Sequence, residues 1–195
     1  MKKTMVAFVA GALMLAASAR AQDAVMGSAE TINPDNFKLS AYPIILLEEG
    51  NNETGLGLRA GYGFGRGFDV EAKLGFFSGV TYYGIDGEWW LHRGDPDFSF
   101  ALGVHRASFD GGGDVFGLDT TPHISKKIGR KLELYGALRI AWEFPDPGDS
   151  YRRINLIPGI EYRVSDDIDF LAEFGLALND EAANHFAVGL AYYIR

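Results

Sequence analysis

One histidine and two aspartates, His105, Asp119 and Asp86, are the residues of this chain best suited by type and spacing to do chemistry. A carboxylate that orients an imidazole can make it a general base. The three meet only if the chain reverses at Asp110-Gly111-Gly112-Gly113-Asp114, which sets His105 roughly opposite Asp119, with Asp86 diagonal to them on the preceding strand. No serine stands as a nucleophile in the same layer, so a cross-strand ion pair is preferred over a hydrolase. His123 and His185 are isolated, and no His or Asp spacing resembles a metal site. The two carboxylates of the 110–114 stretch are too few to make a calcium site. Neither a metal nor a cofactor is expected.

The elements that must position these residues are strands. From Phe37 onward, apolar and polar residues alternate in segments separated by clusters of Gly, Asp, Asn and Pro. In 68–77, Phe68, Val70, Ala72, Leu74 and Phe76 oppose Asp69, Glu71, Lys73 and Gly75. In the last segment Phe186, Val188, Leu190, Tyr192 and Ile194 oppose Ala187, Gly189, Ala191, Tyr193 and Arg195. The segments 37–47, 55–64, 68–77, 81–91, 98–108, 115–128, 132–144, 153–164, 168–178 and 186–195 predict an all-β antiparallel up-and-down barrel of about ten strands, or eight if two weak segments fold over as loops. The 25 glycines and 13% aromatics suit such a barrel and not a helical bundle. Pro43, Pro122 and Pro158 fall inside strands, and a closed barrel has no edge to hide a missing N–H. A bulge or a lost ladder bond is expected at each.

The chain starts with Met1-Lys2-Lys3, an apolar run from Met5 to Ala17, and Ser18-Ala19-Arg20-Ala21, a secretory signal with cleavage expected after Ala21. Residues 22–36 are polar and unpatterned and are read as a periplasmic lead-in to the barrel of 37–195. No later stretch is long and apolar enough to span as a helix, so a membrane crossing must be made by a closed barrel. Tight connections (65–67, 129–131, 165–167) alternate with acidic ones that include Glu48 and Glu49, which suits periplasmic turns and external loops. A net charge of -8 argues against nucleic acid as a partner.

If the apolar face is outward, the lumen receives Arg59, Glu71, Lys73, Asp86, Glu88, His105, Asp119, Lys127, Glu133, Arg139, Arg163, Asp169 and Glu173. The tight turns place Lys127 opposite Glu133 and Arg163 opposite Asp169. Small barrels have little interior room, so these charges are read as a hydrogen-bonded filling. A narrow water-filled pore is the alternative, since Gly57, Gly61, Gly63, Gly75, Gly84 and Gly103 would leave space.

With its signal peptide, alternating strands, short turns on one side and aromatic-bearing final strand, the chain resembles the small bacterial outer-membrane β-barrel proteins over Phe37 to Arg195. That resemblance implies a monomer in the outer membrane of a Gram-negative bacterium, in contact with outer-membrane lipid and delivered by periplasmic chaperones to the barrel insertion machinery. The class usually ends on Phe, whereas this chain ends Tyr193-Ile194-Arg195. No motif of the omptin proteases or lipid A deacylases is found. The expected role is structural or surface-interacting, with porin-like passage of small solutes as the alternative.

Overall fold

The computed structural model describes residues 22–47 and 52–195. The predicted signal peptide and the acidic Glu48 and Glu49 lie outside the described residues. Each alternating segment forms one strand: β1 (Phe37–Leu47), β2 (Glu53–Gly65), β3 (Phe68–Phe77), β4 (Val80–His92), β5 (Asp97–Phe109), β6 (Asp114–Ile128), β7 (Leu132–Asp146), β8 (Tyr151–Arg163), β9 (Ile168–Ala177) and β10 (Asn184–Ile194). Each strand pairs antiparallel with its chain neighbours. β10 returns to β1, from Phe37 opposite Ile194 to Leu47 opposite Asn184, and closes a ten-stranded barrel.

Closure leaves no free sheet edge, and the two-residue period assigns every side chain to one of two environments. In β1, Lys38, Ser40, Tyr42, Ile44 and Leu46 are buried inside while Phe37, Leu39 and Ile45 are exposed outside. Large apolar residues of every strand are exposed in the same way, a surface suited to hydrocarbon rather than water. Near the tight turns this surface carries an unbroken aromatic arc. Phe37, Tyr62, Phe64, Phe68 and Trp89 pack in a row, tilted or T-shaped to one another, at centroid spacings of 4.8, 4.9, 5.7 and 4.9 Å. An interfacial girdle has this form.

The prolines resolve as lost pairing, without bulges. Beside Pro43, pairing of β1 with β10 lapses between Ala41↔Leu190 and Ile44↔Ala187, then resumes in the same register. The same happens between β6 and β7 beside Pro122, and between β8 and β9 beside Pro158. Each proline keeps one neighbour strand and forgoes the other for two residues, because its ring nitrogen has no hydrogen to donate. The register shifts lie elsewhere, at Gly63/Gly65 and Trp90/His92, both beside turns.

The segment 22–36 is folded against the barrel. It turns back into the barrel at the tight-turn end, where Pro34 bridges Gly63, Asp35 N donates to Gly63 O at 2.9 Å, and Gly63 N donates to Asn36 O at 3.1 Å. From Ile32 back to Gln22 it is buried within the lumen, with only Gly27 and Glu30 partly open. It contains neither helix nor ladder strand.

The glycines on which the alternative of a pore rests are covered. A Cβ on Gly57 would lie 2.1 Å from the Tyr42 ring, on Gly61 2.5 Å from Ile32, and on Gly63 2.2 Å from the carbonyl oxygen of Asn33. Gly84 lies against His105, Gly75 against Phe77 and Tyr82, and Gly103 against Asp86. The space left by a missing side chain on one strand is taken by a ring or a chain from its neighbour. Gly57→Val should therefore lower unfolding stability in detergent micelles by about 1–3 kcal/mol through overpacking. Ala72→Val on the outward face should stay within about 0.5 kcal/mol of wild type, both measured by urea titration.

Candidate functional site

The barrel interior is the site the fold creates. Its walls carry charge because every second strand residue points inward and cannot be lipid-facing. Arg59 and Lys73 sit on adjacent strands directly opposite one another, and Arg139 reaches the same level from β7. Their partners come from the wall and from the inner segment. Arg59 pairs with Glu71 at 3.0 Å, with Asp23 at 3.4 Å and with Asp86 at 3.6 Å. Lys73 lies 2.7 Å from Asp86 and 3.8 Å from both Asp23 and Asp119. Lys38 joins Glu71 at 2.8 Å.

The wall also supplies the bonds that the inner segment's backbone cannot make to itself. Glu173 accepts from Val25 N at 2.9 Å and Met26 N at 2.7 Å. Asp69 accepts from Ile32 N at 2.6 Å, and Ser125 Oγ from Ala29 N at 3.2 Å. Arg139 donates to Asp23 O at 3.0 Å, and Arg59 donates to Val25 O. At the far end, the Gln22 amide pairs with His185 at 2.9 Å and with the backbone of Ala183.

His105 is fully enclosed. Its Nδ1 lies 2.6 Å from Asp119 and its Nε2 3.0 Å from Glu143, and its ring stacks on Tyr82 with centroids 4.9 Å apart. In register it faces Gly84 and Gly117, so Asp119 is its diagonal and not its direct neighbour. Asp86 pairs with Lys73 and Arg59. Asp119 also accepts from Arg139 at 2.8 Å, and Glu143 from Arg153 at 2.9 Å. Each ring nitrogen thus lies within hydrogen-bond reach of a carboxylate oxygen, and the imidazole bridges Asp119 and Glu143.

At the tight-turn end the wall thins out electrostatically. Lys127 does face Glu133 in register, yet it is half-exposed and reaches Glu30 of the inner segment instead. Arg163 faces Asp169 as the turn implied, at 3.9 Å, with its side chain half in solvent. Glu88 lies in the wall, bonded by Ser99. Arg195 pairs with Asp167 at 3.4 Å and donates to Asp166 O, which ties the last residue to the 165–167 turn. Sequence reasoning missed Asp23, Glu30 and Glu173's role as a backbone acceptor. For Glu173 the signal was the surplus of inward carboxylates over inward cations, which calls for N–H donors; for Asp23 and Glu30 it was only the compact Ala24-Val25-Met26-Gly27 between them, which a solvated lead-in has no need of.

An antiparallel barrel closed by its first and last strands, with an apolar exterior and a charged interior, has the fold of the bacterial outer-membrane β-barrels. No family model and no curated protein matches the sequence. Among solved structures the chain is similar to the COG4313 outer membrane channel from Pseudomonas putida F1, with a TM-score of 0.58 and 9% identity over 88% of this chain and 100% of that one. It is also similar to the KdgM porin, with a TM-score of 0.51 and 10% identity over 80% of this chain and 99% of that one. At such identities the likeness is one of fold.

Since His105 bridges two carboxylates out of water, His105→Ala should cost about 3 kcal/mol of unfolding stability in micelles. His105→Gln, which keeps a donor, should cost less. Equal stability of His105→Ala and wild type in a guanidinium titration would contradict a structural role.

Proposed function

We propose that the mature protein is a monomeric outer-membrane barrel of a Gram-negative bacterium, exported with cleavage after Ala21, whose lumen is held closed by its own residues 22–32. Its role is structural or surface-interacting rather than enzymatic. The observation that carries this reading is the ladder of bonds from Asp69 through Glu173 to Ala183, which holds an irregular segment along the lumen. Between that segment and the wall are cavities of about 80 and 30 Å³. Their volume is enough for a few waters and too small for a hydrated solute.

Within this reading a role in the membrane itself is better supported than surface contact. The described connections opposite the tight turns are short: 78–79, 110–113, 147–150 and 178–183. The outward rows of β1 and β10 would meet outer-membrane lipid and, during assembly, chaperones and the barrel insertion machinery. The second reading, narrow passage of small solutes, is favoured by the names of the solved neighbours, a channel and a porin. On that view residues 22–32 would have to leave the lumen for solute to pass.

Planar-bilayer recording separates the two. The intact mature protein should show no stable discrete conductance, while a variant lacking residues 22–32 should show it. Discrete steps from the intact protein would overturn the closed-lumen reading.

A further inference from the structure

Three carboxylates from three separate elements converge at the tight-turn end of the lumen: Glu30 of the inner segment, Asp97 at the start of β5 and Glu133 near the start of β7. One oxygen of each lies within 4.8 Å of the other two. Asp97 and Glu133 are 5% and 6% exposed, and Glu30 is partly buried. Their neighbours leave the charge uncompensated. The half-exposed Lys127 reaches Glu30. Asp97 accepts from Gly94 N at 2.8 Å and Trp90 Nε1 at 3.3 Å, both neutral donors. Among the described residues no cationic side chain pairs with Asp97 or Glu133. The second, independent observation is that Glu133 Oε1 is buried with no hydrogen-bond partner, the neutral Ser125 hydroxyl being the one donor beside that carboxylate. A buried carboxylate oxygen without a donor, beside two further carboxylates, is held at a free-energy cost unless something positive sits between them.

We propose that Glu30, Asp97 and Glu133 form a binding site for a divalent cation, with calcium as the ion of best fit. Carboxylate oxygens are hard donors and select hard cations over the softer transition metals. Two oxygens on opposite sides of a calcium ion, each about 2.4 Å from it, are about 4.8 Å apart, which the cluster accommodates without moving the strands. With Lys127 counted, the group carries two uncompensated negative charges, which one divalent ion neutralises. Ser125 is a further oxygen at the same place. It faces Asp97 across β5 and β6, is 1% exposed, and its Oγ already accepts from Ala29 N next to Glu30. Water completes the shell. An ion there joins the inner segment to β5 and β7 at the mouth by which the segment enters. The site stands whether or not the barrel conducts.

The experiment uses the full mature protein folded in detergent micelles, stripped with chelator and titrated with calcium chloride alone, by calorimetry and thermal unfolding. One saturable calcium equivalent is expected, and at a hundred times its dissociation constant the unfolding equilibrium constant should fall about a hundredfold. Glu133→Gln and Asp97→Asn relieve repulsion in the ion-free protein, so both should fold in chelator at least as well as wild type. Each should bind calcium at least tenfold more weakly. Lys127→Met, which removes the competing ammonium, should bind it more tightly. Absence of saturable binding to the wild type would overturn the site. So would unchanged affinity in both carboxylate variants, or weaker binding by Lys127→Met.

Discussion

A chain segment without secondary structure can lie inside a barrel only if each of its backbone polar groups finds a partner on the wall. Residues 22–32 have no ladder and no helical bonds, and lipid outside the wall offers no water to replace them. The inward residues of this barrel are spaced to meet that demand. Glu173 reaches two successive N–H groups, Arg59 and Arg139 reach carbonyls, and Asp69 and Ser125 reach N–H groups nearer the tight turns. Removing the segment from this arrangement would leave Glu173 and Asp69 buried without those donors, and would remove Asp23 from between Arg59 and Lys73. The segment and the wall are therefore one structure, and the charge pattern of the strands makes physical sense only with the segment in place.

The charges divide by level along the axis. In the middle, cations and carboxylates alternate closely enough that Arg59 and Lys73 each touch more than one acid, while Arg139 holds Asp119. Such buried networks contribute less to stability than to selecting one arrangement, because desolvation offsets most of the attraction. They penalise any register that separates the partners, and register is what an up-and-down barrel must specify ten times over. Towards the tight turns the balance shifts to carboxylates, and Lys127, Arg163 and Arg195 there are half in solvent. That difference makes one end of the lumen electrostatically complete and the other open to a mobile positive ion.

Glycine serves close approach in the lumen. Tyr42 lies over Gly57, Tyr135 over Gly159, His105 over Gly117 and His185 over Gly175, with would-be Cβ distances of 2.0 to 2.2 Å. A flat ring on one strand occupying the bare backbone of the next fills the interior of a barrel whose inward positions are otherwise long charged chains. The prolines show the same economy on the outer face, where each gives up pairing on one side and leaves the registers of all ten seams intact.

Strand number, strand ends to within a few residues, the facing of each side chain and the exterior apolar belt were legible in the sequence. They depend on a period of two, and periodicity is local. The pairings Lys127↔Glu133 and Arg163↔Asp169 were legible too, since a tight turn fixes which residues face each other. What only the tertiary structure decided was anything requiring distance along the chain. Residues 22–32 have no pattern, so nothing local told whether they hang outside or thread the barrel. Their position depends on partners as far away as Glu173 and Ala183, which closure of β1 on β10 brings within reach. The fate of His105 turned on Glu143, 38 residues on, and on side-chain reach rather than on register. Glu30, Asp97 and Glu133 are separated by long stretches of sequence and share no spacing. Only a closed barrel with its own N-terminal segment inside brings them together.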